Sequence, residues 1–92
     1  PGRIEAYKRI AAIQTPEDAA DVLDELIGQS VALVGKPAAL MNKEDKIRAI
    51  RFLSEQGAFL VTRSGEKVAK YFGISKYTLY SYLDRSAGGQ ST

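Results

Sequence analysis

The chain has 92 residues, enough for one small domain, and 45% of them are hydrophobic, as is usual for a folded globular protein. It contains no Cys and no His, which excludes disulfides, thiolate metal sites and the commonest general base. It also lacks a phosphate-cradling glycine loop and a convergent carboxylate pair, so we predict no enzyme, no cofactor and no metal site. No apolar run approaches the roughly 20 residues of a membrane span, so we expect a cytoplasmic protein without membrane contact.

Charge is distributed unevenly along the chain, although the formal net charge is only +2. Residues 1–41 carry four basic and six acidic side chains, whereas residues 42–92 carry nine basic and five acidic ones. Phosphate contacts supply most non-specific affinity for DNA, so a basic C-terminal half is typical of a nucleic-acid binder. Because the chain begins at Pro1 rather than Met, we expect it to be a fragment or a processed piece.

Residues 1–41 are predicted to form an N-terminal helical linker that is also a possible dimerisation segment. The apolar spacing in its first turns predicts a short helix or a frayed arm. A long helix then begins where Thr15 can cap, Pro16 suits the first helical position and Asp18 can close a capping box. Gly35 is typical of the end of this helix.

One broad face of the long helix is apolar over residues 16–34. Its members are Ala19, Val22, Leu23, Leu26, Ile27, Val31 and Val34. The other face carries carboxylates at Asp21, Asp24 and Glu25, which we interpret as a solvated surface. Two interpretations of the apolar face stay open: it packs on the rest of this chain, or it pairs with its twin in a dimer.

The next helix is predicted to begin at Asn42, with Asp45 at the capping-box position. Its core face consists of Ile47, Ala49, Ile50, Leu53 and, in part, Phe52. Gly57 is the expected C-cap. The β-favouring run from Ala58 to Thr62 is too short to form a sheet, so we predict an extended corner with Phe59 inserted into the core.

Residues 67–83 predict two short helices joined by a tight turn. Gly73 stops the first helix because Gly tolerates a left-handed exit, and Ser75 can cap the second. Ala69, Gly73 and Leu79 stand where a helix-turn-helix needs a small residue, a turn glycine and an apolar residue. The surrounding apolar positions are Val68, Phe72, Ile74, Tyr82 and Leu83. This pattern favours a DNA-binding helix-turn-helix over two core helices of another small bundle.

The outer face of the second helix is predicted to contact DNA. Lys76 and Tyr77 lie in its first turn and are expected to meet base edges. Tyr80 and Ser81 follow one turn later, one of them suited to a base and the other to a phosphate. The remaining predicted DNA-binding residues contact phosphates, namely Ser75 and Thr78 at the helix start and Lys70 and Arg85 on the flanks.

Residues 42–86 are therefore predicted to form the DNA-binding domain, in which the first helix of the motif opens at Ser64 or Gly65. Residues 87–92 have no apolar side chain beyond Ala87 and are predicted to form a flexible tail, without room for the hairpin of a winged helix. The predicted fold is all-α: a small helical bundle with a helix-turn-helix and no wing, preceded by a long amphipathic helix.

Residues 42–60, together with Val68-Ala69 and residues 73–83, resemble the C-terminal helix-turn-helix of YheO-like bacterial transcriptional regulators, the family of the D-arginine utilisation regulator. The resemblance covers about residues 40–86, and its most telling parts are the corner at residues 57–59 and the run from residue 75 to 83. It implies double-stranded DNA as a partner. Members of that family carry an N-terminal PAS-like sensor domain that is missing here, so a small-molecule effector is expected only through such a domain.

The sequence thus predicts sequence-specific binding of double-stranded DNA as part of a bacterial transcriptional regulator, with a recognition helix at about residues 76–85 in the major groove. Helix-turn-helix proteins usually bind two-fold sites as dimers, so we favour a homodimer in which residues 16–34 take part. The alternative is a helical protein–protein interaction module without DNA binding.

Overall fold

Five α-helices and two short 3₁₀ turns form the protein in the computed structural model, which describes the backbone of residues 2–88 and the side chains of residues 4–84. The helices are α1 (Gly2–Ala11), α2 (Pro16–Val34), α3 (Lys43–Glu55), α4 (Ser64–Phe72) and α5 (Lys76–Gly88), with 3₁₀ turns at Ala38–Leu40 and Ala58–Leu60. The described residues include no strand. The predicted all-α bundle with a long helix ahead of α4 and α5 is therefore confirmed.

Helix α2 begins and ends where the sequence predicts. Thr15 is extended and its hydroxyl accepts a hydrogen bond from the amide of Asp18 at 3.0 Å. The capping box differs from the prediction, because the Asp18 carboxylate accepts from the amide of Gln14 at 3.2 Å rather than from that of Thr15. At the other end, Gly35 adopts a left-handed conformation and donates to the carbonyl of Val31.

The apolar face of α2 is buried within this one chain. Val22, Leu23, Leu26 and Ile27 belong to a single hydrophobic core, and α2 packs closely against α3. Of the two interpretations that the sequence left open, the structure therefore shows packing on the bundle. The favoured alternative, participation of residues 16–34 in a homodimer, stays a prediction, although these four side chains are already covered by the same chain.

Helix α3 contributes several fully buried side chains to the core. Asn42 and Asp45 form the predicted capping box, with the Asp45 amide donating to Asn42 at 2.8 Å and the Asn42 amide donating to Asp45 at 3.2 Å. Ala49, Ile50 and Leu53 have no exposed surface. Since both α2 and α5 pack against α3, its apolar residues join the N-terminal helices to the C-terminal ones.

The corner after α3 is a 3₁₀ turn and not the extended segment that its sequence predicts. Gln56 caps α3, Gly57 follows with a left-handed φ of 80°, and the amide of Leu60 donates back to Gly57 at 3.0 Å. An isolated run of β-favouring residues has no neighbouring strand to satisfy its backbone, so local turn bonds prevail. Ala58 and Val61 are consequently buried in place of Phe59, which is only half-buried.

Helix α1 is packed onto the bundle rather than frayed. Ala6 is buried, and Arg9 forms an ion pair with Glu25 on α2. The ring of Tyr7 occupies the space that a Cβ at residue 57 would need, so Gly57 permits a close approach that no other residue would.

Two glycines allow a matched test of backbone conformation. Gly28 in α2 and Gly35 after it both have open space where a Cβ would lie, but only Gly35 has a positive φ, 84°. We expect Gly28→Ala to raise the free energy of unfolding by about 0.5–1 kcal/mol, because Gly is a poor helix former. Gly35→Ala should lower it by about 1–2 kcal/mol, since a Cβ is strained in that conformation.

Urea unfolding of both variants measures this difference. Equal effects of the two substitutions, in either direction, would contradict the assignment of Gly35 as a left-handed helix stop.

The N-terminus of α3 predicts a specific loss of stability in acid. The ammonium of Lys36 donates to Asp45 at 2.8 Å, and together with the Asn42 amide it lowers the pKa of Asp45 below its ordinary value. A carboxyl with a lowered folded-state pKa stabilises the protein above the pKa of the unfolded chain, about 3.9, and loses this contribution as the pH falls through the folded-state value.

Lys36→Met removes the largest cause of that shift, so its unfolding free energy should depend less on pH in acid than that of the parent. Urea titrations between about pH 5 and pH 2 test this. Lys43→Met is the control, because Lys43 also lies at the start of α3 but is not among the groups that shift Asp45. An equal change in both variants would mean that the Lys36–Asp45 pair has no specific role.

Candidate nucleic-acid interface

The turn between α4 and α5 is fixed by backbone hydrogen bonds at a glycine. Gly73 has a φ of 69°, its amide donates to Lys70 at 3.2 Å, and the amide of Ile74 donates to Ala69 at 3.0 Å. This pair of bonds is a Schellman motif, which ends a helix and reverses the chain sharply. The predicted stop at Gly73 is confirmed.

Helix α5 begins with a side-chain cap. The amide of Thr78 donates to the Ser75 hydroxyl at 3.0 Å, and that hydroxyl donates to Thr78 Oγ1 at 3.0 Å. The cap predicted at Ser75 is therefore present. Because Thr78 Oγ1 accepts this bond, its own hydroxyl hydrogen is left to donate elsewhere.

The inner faces of α4 and α5 pack as the helix-turn-helix spacing predicts. Ala69 and Leu79 are buried where the two helices meet, and Val68 and Phe72 complete the buried face of α4. The remaining predicted positions are only half-buried and pack against the core: Ile74, Tyr82 and Leu83.

The outer face of α5 is open to solvent and carries the predicted residues together. Tyr77 is 86% exposed and Tyr80 52%, and Lys76 and Ser81 are exposed beside them. Ser75 is also exposed, whereas Thr78 is half-buried. Two exposed tyrosines next to a lysine on one helix face are not explained by the core.

Of the two residues predicted to contact phosphates on the flanks, Lys70 and Arg85, only Lys70 has a described side chain. Lys70 is exposed on α4, near the turn. The side chain of Arg85 lies outside the described residues. Helix α5 continues to Gly88, beyond the end predicted near residue 85, and residues 89–92 of the predicted tail lie outside the described part of the chain.

The side chain of Tyr80 is positioned by a glycine on the neighbouring helix, a contact that the sequence did not predict. A Cβ at Gly65, in the first turn of α4, would lie 2.9 Å from the hydroxyl oxygen of Tyr80 and 3.7 Å from Leu79 Cδ2. The Tyr80 hydroxyl therefore rests on the backbone of α4. Residues 65 and 80 lie on different helices, so helical periodicity could not predict this contact. The one clue in the sequence was the glycine at position 65, because a glycine inside a helix lowers its stability and needs another reason to be there.

Lys76 has an acidic neighbour that was also not predicted from the sequence. Its ammonium lies 3.5 Å from Glu66 Oε2 on α4, and both side chains are more than half exposed. Such an exposed pair contributes little free energy and is screened by salt. Lys76 can therefore exchange Glu66 for another acceptor at small cost.

A family model described as a helix-turn-helix (HTH) domain matches residues 22–84, which is more than half of the chain. The chain belongs to this helix-turn-helix domain family. The match takes in most of α2, in agreement with the packing of α2 on the same core as α3 to α5. No curated protein and no solved structure matched the chain.

The described residues of this helix-turn-helix protein contain neither a membrane-spanning helix nor a metal-binding cluster. None of their helices combines the length and the hydropathy that crossing a bilayer requires. Within the same residues, no group of three or more acidic side chains is arranged to hold a metal ion.

Because Tyr80 lies close to Gly65, we predict that a substitution at residue 65 displaces the Tyr80 ring without disturbing the fold. In Gly65→Ala the new methyl group would meet the end of a flexible side chain, so we expect the ring to shift while the free energy of unfolding changes by less than about 1 kcal/mol. Nuclear Overhauser contacts between the Tyr80 ring and residue 65 measure the shift. Gly28→Ala is the control, and unchanged Tyr80 contacts in Gly65→Ala would contradict the placement of this ring.

Proposed function

We propose that the protein binds double-stranded DNA sequence-specifically, with α5 in the major groove, as part of a bacterial transcriptional regulator. The observation that carries the proposal is the outer face of α5, where Lys76, Tyr77, Tyr80 and Ser81 are all exposed to solvent. Membership of a helix-turn-helix domain family supports it. The finer assignment to YheO-like regulators rests on the resemblance in residues 42–83.

The residues of α5 are assigned roles by their position along the helix. Lys76 and Tyr77 are nearest the helix start, where they would reach base edges: Lys donates to guanine, and Tyr donates from its hydroxyl or packs on a thymine methyl group. Tyr80 and Ser81 follow one turn later, and one of them would contact a base. The hydroxyl of Tyr80 lies close to Gly65 of α4, so this side chain must turn outward from α4 to contact DNA.

Phosphate contacts are assigned to the residues around this face. Thr78 retains a hydroxyl hydrogen to donate, and Ser75 is exposed at the start of α5. Lys70 and Arg85 would clamp the flanking backbone of the duplex. The excess of basic residues in the second half of the chain, nine against five acidic, has the sign that phosphate binding needs.

A homodimer is part of this proposal, because two-fold operators require two recognition helices. The four buried side chains of α2 are already covered by the same chain. Leu40, 71% exposed, and Leu60, 72% exposed, are apolar side chains that the fold leaves uncovered and that a second copy could contact. The same two residues support the second candidate function, a helical protein–protein interaction module. A cytoplasmic location and an effector acting through a separate sensor domain complete the proposed regulator.

Fluorescence anisotropy with a labelled duplex of mixed sequence, at low and at moderate salt, tests the DNA proposal. Each neutralised phosphate contributes about −0.9 to the slope of log K against log salt concentration, so binding should weaken steeply as salt is added. Light scattering on the same sample measures the mass. A folded protein that binds no duplex at low salt would exclude this function and favour the interaction module.

Single substitutions on α5 should reduce specific affinity for a duplex selected from a random library. We expect Lys76→Ala and Tyr80→Ala each to cost about 1–3 kcal/mol, the usual value of a good base contact. Anisotropy titrations measure the loss.

The matched control is Lys8→Ala, which removes an exposed lysine from α1. Tyr80→Phe separates the hydroxyl from the ring. If the double variant Lys76→Ala/Tyr80→Ala keeps both its fold and its affinity, α5 does not read the bases.

A further inference from the structure

A groove with an apolar floor lies between α4 and the N-terminal part of α2. Its volume is about 770 Å³. This volume is within the range of sites that hold small molecules. Its apolar lining residues, which we call the floor, are Ile13, Pro16, Ala19, Ala20 and Leu23.

The α4 side of the groove is basic. Arg63, Lys67 and Lys70 line it, and Glu66 is the one acidic residue among the described groove-lining side chains. Glu66 lies 3.5 Å from Lys76, and Lys67 lies 2.8 Å from Asp24. Within residues 4–84, neither Arg63 nor Lys70 has an ion-pair partner. The groove therefore offers two uncompensated cations beside an apolar floor.

The backbone adds to this positive potential. Thr15 and Arg63 are the N-cap residues of α2 and α4, and both line the groove. The N-terminus of each helix carries a partial positive charge, which the first-turn carboxylates Glu17, Asp18 and Glu66 partly offset. The remainder adds to the charge of Arg63 and Lys70, the two cations that are unpaired within residues 4–84. A purely apolar ligand would contact the floor but not the cations, and a simple anion would contact the cations but not the floor.

We propose that this groove binds a small amphipathic carboxylate, with an alkyl chain along the apolar floor and the carboxylate on the basic α4 side at Arg63. Charge complementarity at the rim and apolar contact at the floor select this class over neutral lipids and over free phosphate. The site shares only Lys70 with the proposed DNA interface. It can therefore be tested without DNA, and it stands if the DNA proposal fails.

The test is an amide chemical-shift titration of the whole 92-residue chain with sodium octanoate, 1-octanol and inorganic phosphate in parallel. Octanoate should shift the amides of Ala20, Leu23 and Arg63 saturably, whereas octanol and phosphate should bind at least about tenfold more weakly. The proposal is overturned if octanoate leaves these amides unshifted. If octanol binds as tightly as octanoate, the cations play no part in binding. If phosphate binds as tightly as octanoate, the apolar floor plays no part. Either result overturns the proposal.

Two pairs of variants separate the charge from the shape of the groove. Arg63→Gln should weaken octanoate binding about tenfold, whereas Arg51→Gln, which removes an exposed arginine from α3 outside the groove, should not. Ala20→Leu should block the groove, whereas Ala32→Leu, exposed on the same helix, should not. If Arg63→Gln fails to fold, the alanine pair still decides. Unchanged affinity in Ala20→Leu would overturn the proposal.

Discussion

The packing of α5 against α3 determines where the outer face of α5 lies. Leu79 on α5 and Ile50 and Leu53 on α3 have no exposed surface, and α2 packs against α3 as well. Truncating one of these large side chains would cost about 2–5 kcal/mol, a large part of the roughly 5–15 kcal/mol that stabilises a typical domain. The small core therefore has little redundancy, and the position of the outer face of α5 depends on a few buried contacts.

The direction of α5 depends on local backbone geometry in addition to this packing. The left-handed Gly73 and the hydroxyl cap at Ser75 set the angle between α4 and α5 over only three residues. Gly65 then lets the Tyr80 hydroxyl approach the backbone of α4, because a Cβ at residue 65 would lie only 2.9 Å from the hydroxyl oxygen. A turn and a cap that are in place before DNA binds are the kind of preorganisation that reduces the entropic cost of binding.

Elements with strong local signals could be predicted from the sequence, and elements decided by distant contacts could not. Thr15, Asn42, Gly73 and Ser75 act within a few residues of themselves, so their caps and turns follow from the residue types. The exposed face of α5 followed from helical periodicity.

By contrast, the partner of the apolar face of α2 is determined by the whole fold, since the same apolar face could equally well form a dimer interface. The corner at Ala58–Leu60 was mispredicted because β propensity was weighed without a neighbouring strand. The contacts of Gly65 with Tyr80 and of Glu66 with Lys76 join different helices, so they could not be predicted from the spacing of residues in the sequence.

We expect DNA to bind the outer face of α5. Amide chemical-shift mapping with an unlabelled duplex tests it most directly, because it reports which surface of the folded protein is contacted. We expect the largest shifts on residues 75–81 and near Lys70, while α1 is unaffected. Shifts concentrated around Leu40 and Leu60, with residues 75–81 unchanged, would contradict this claim.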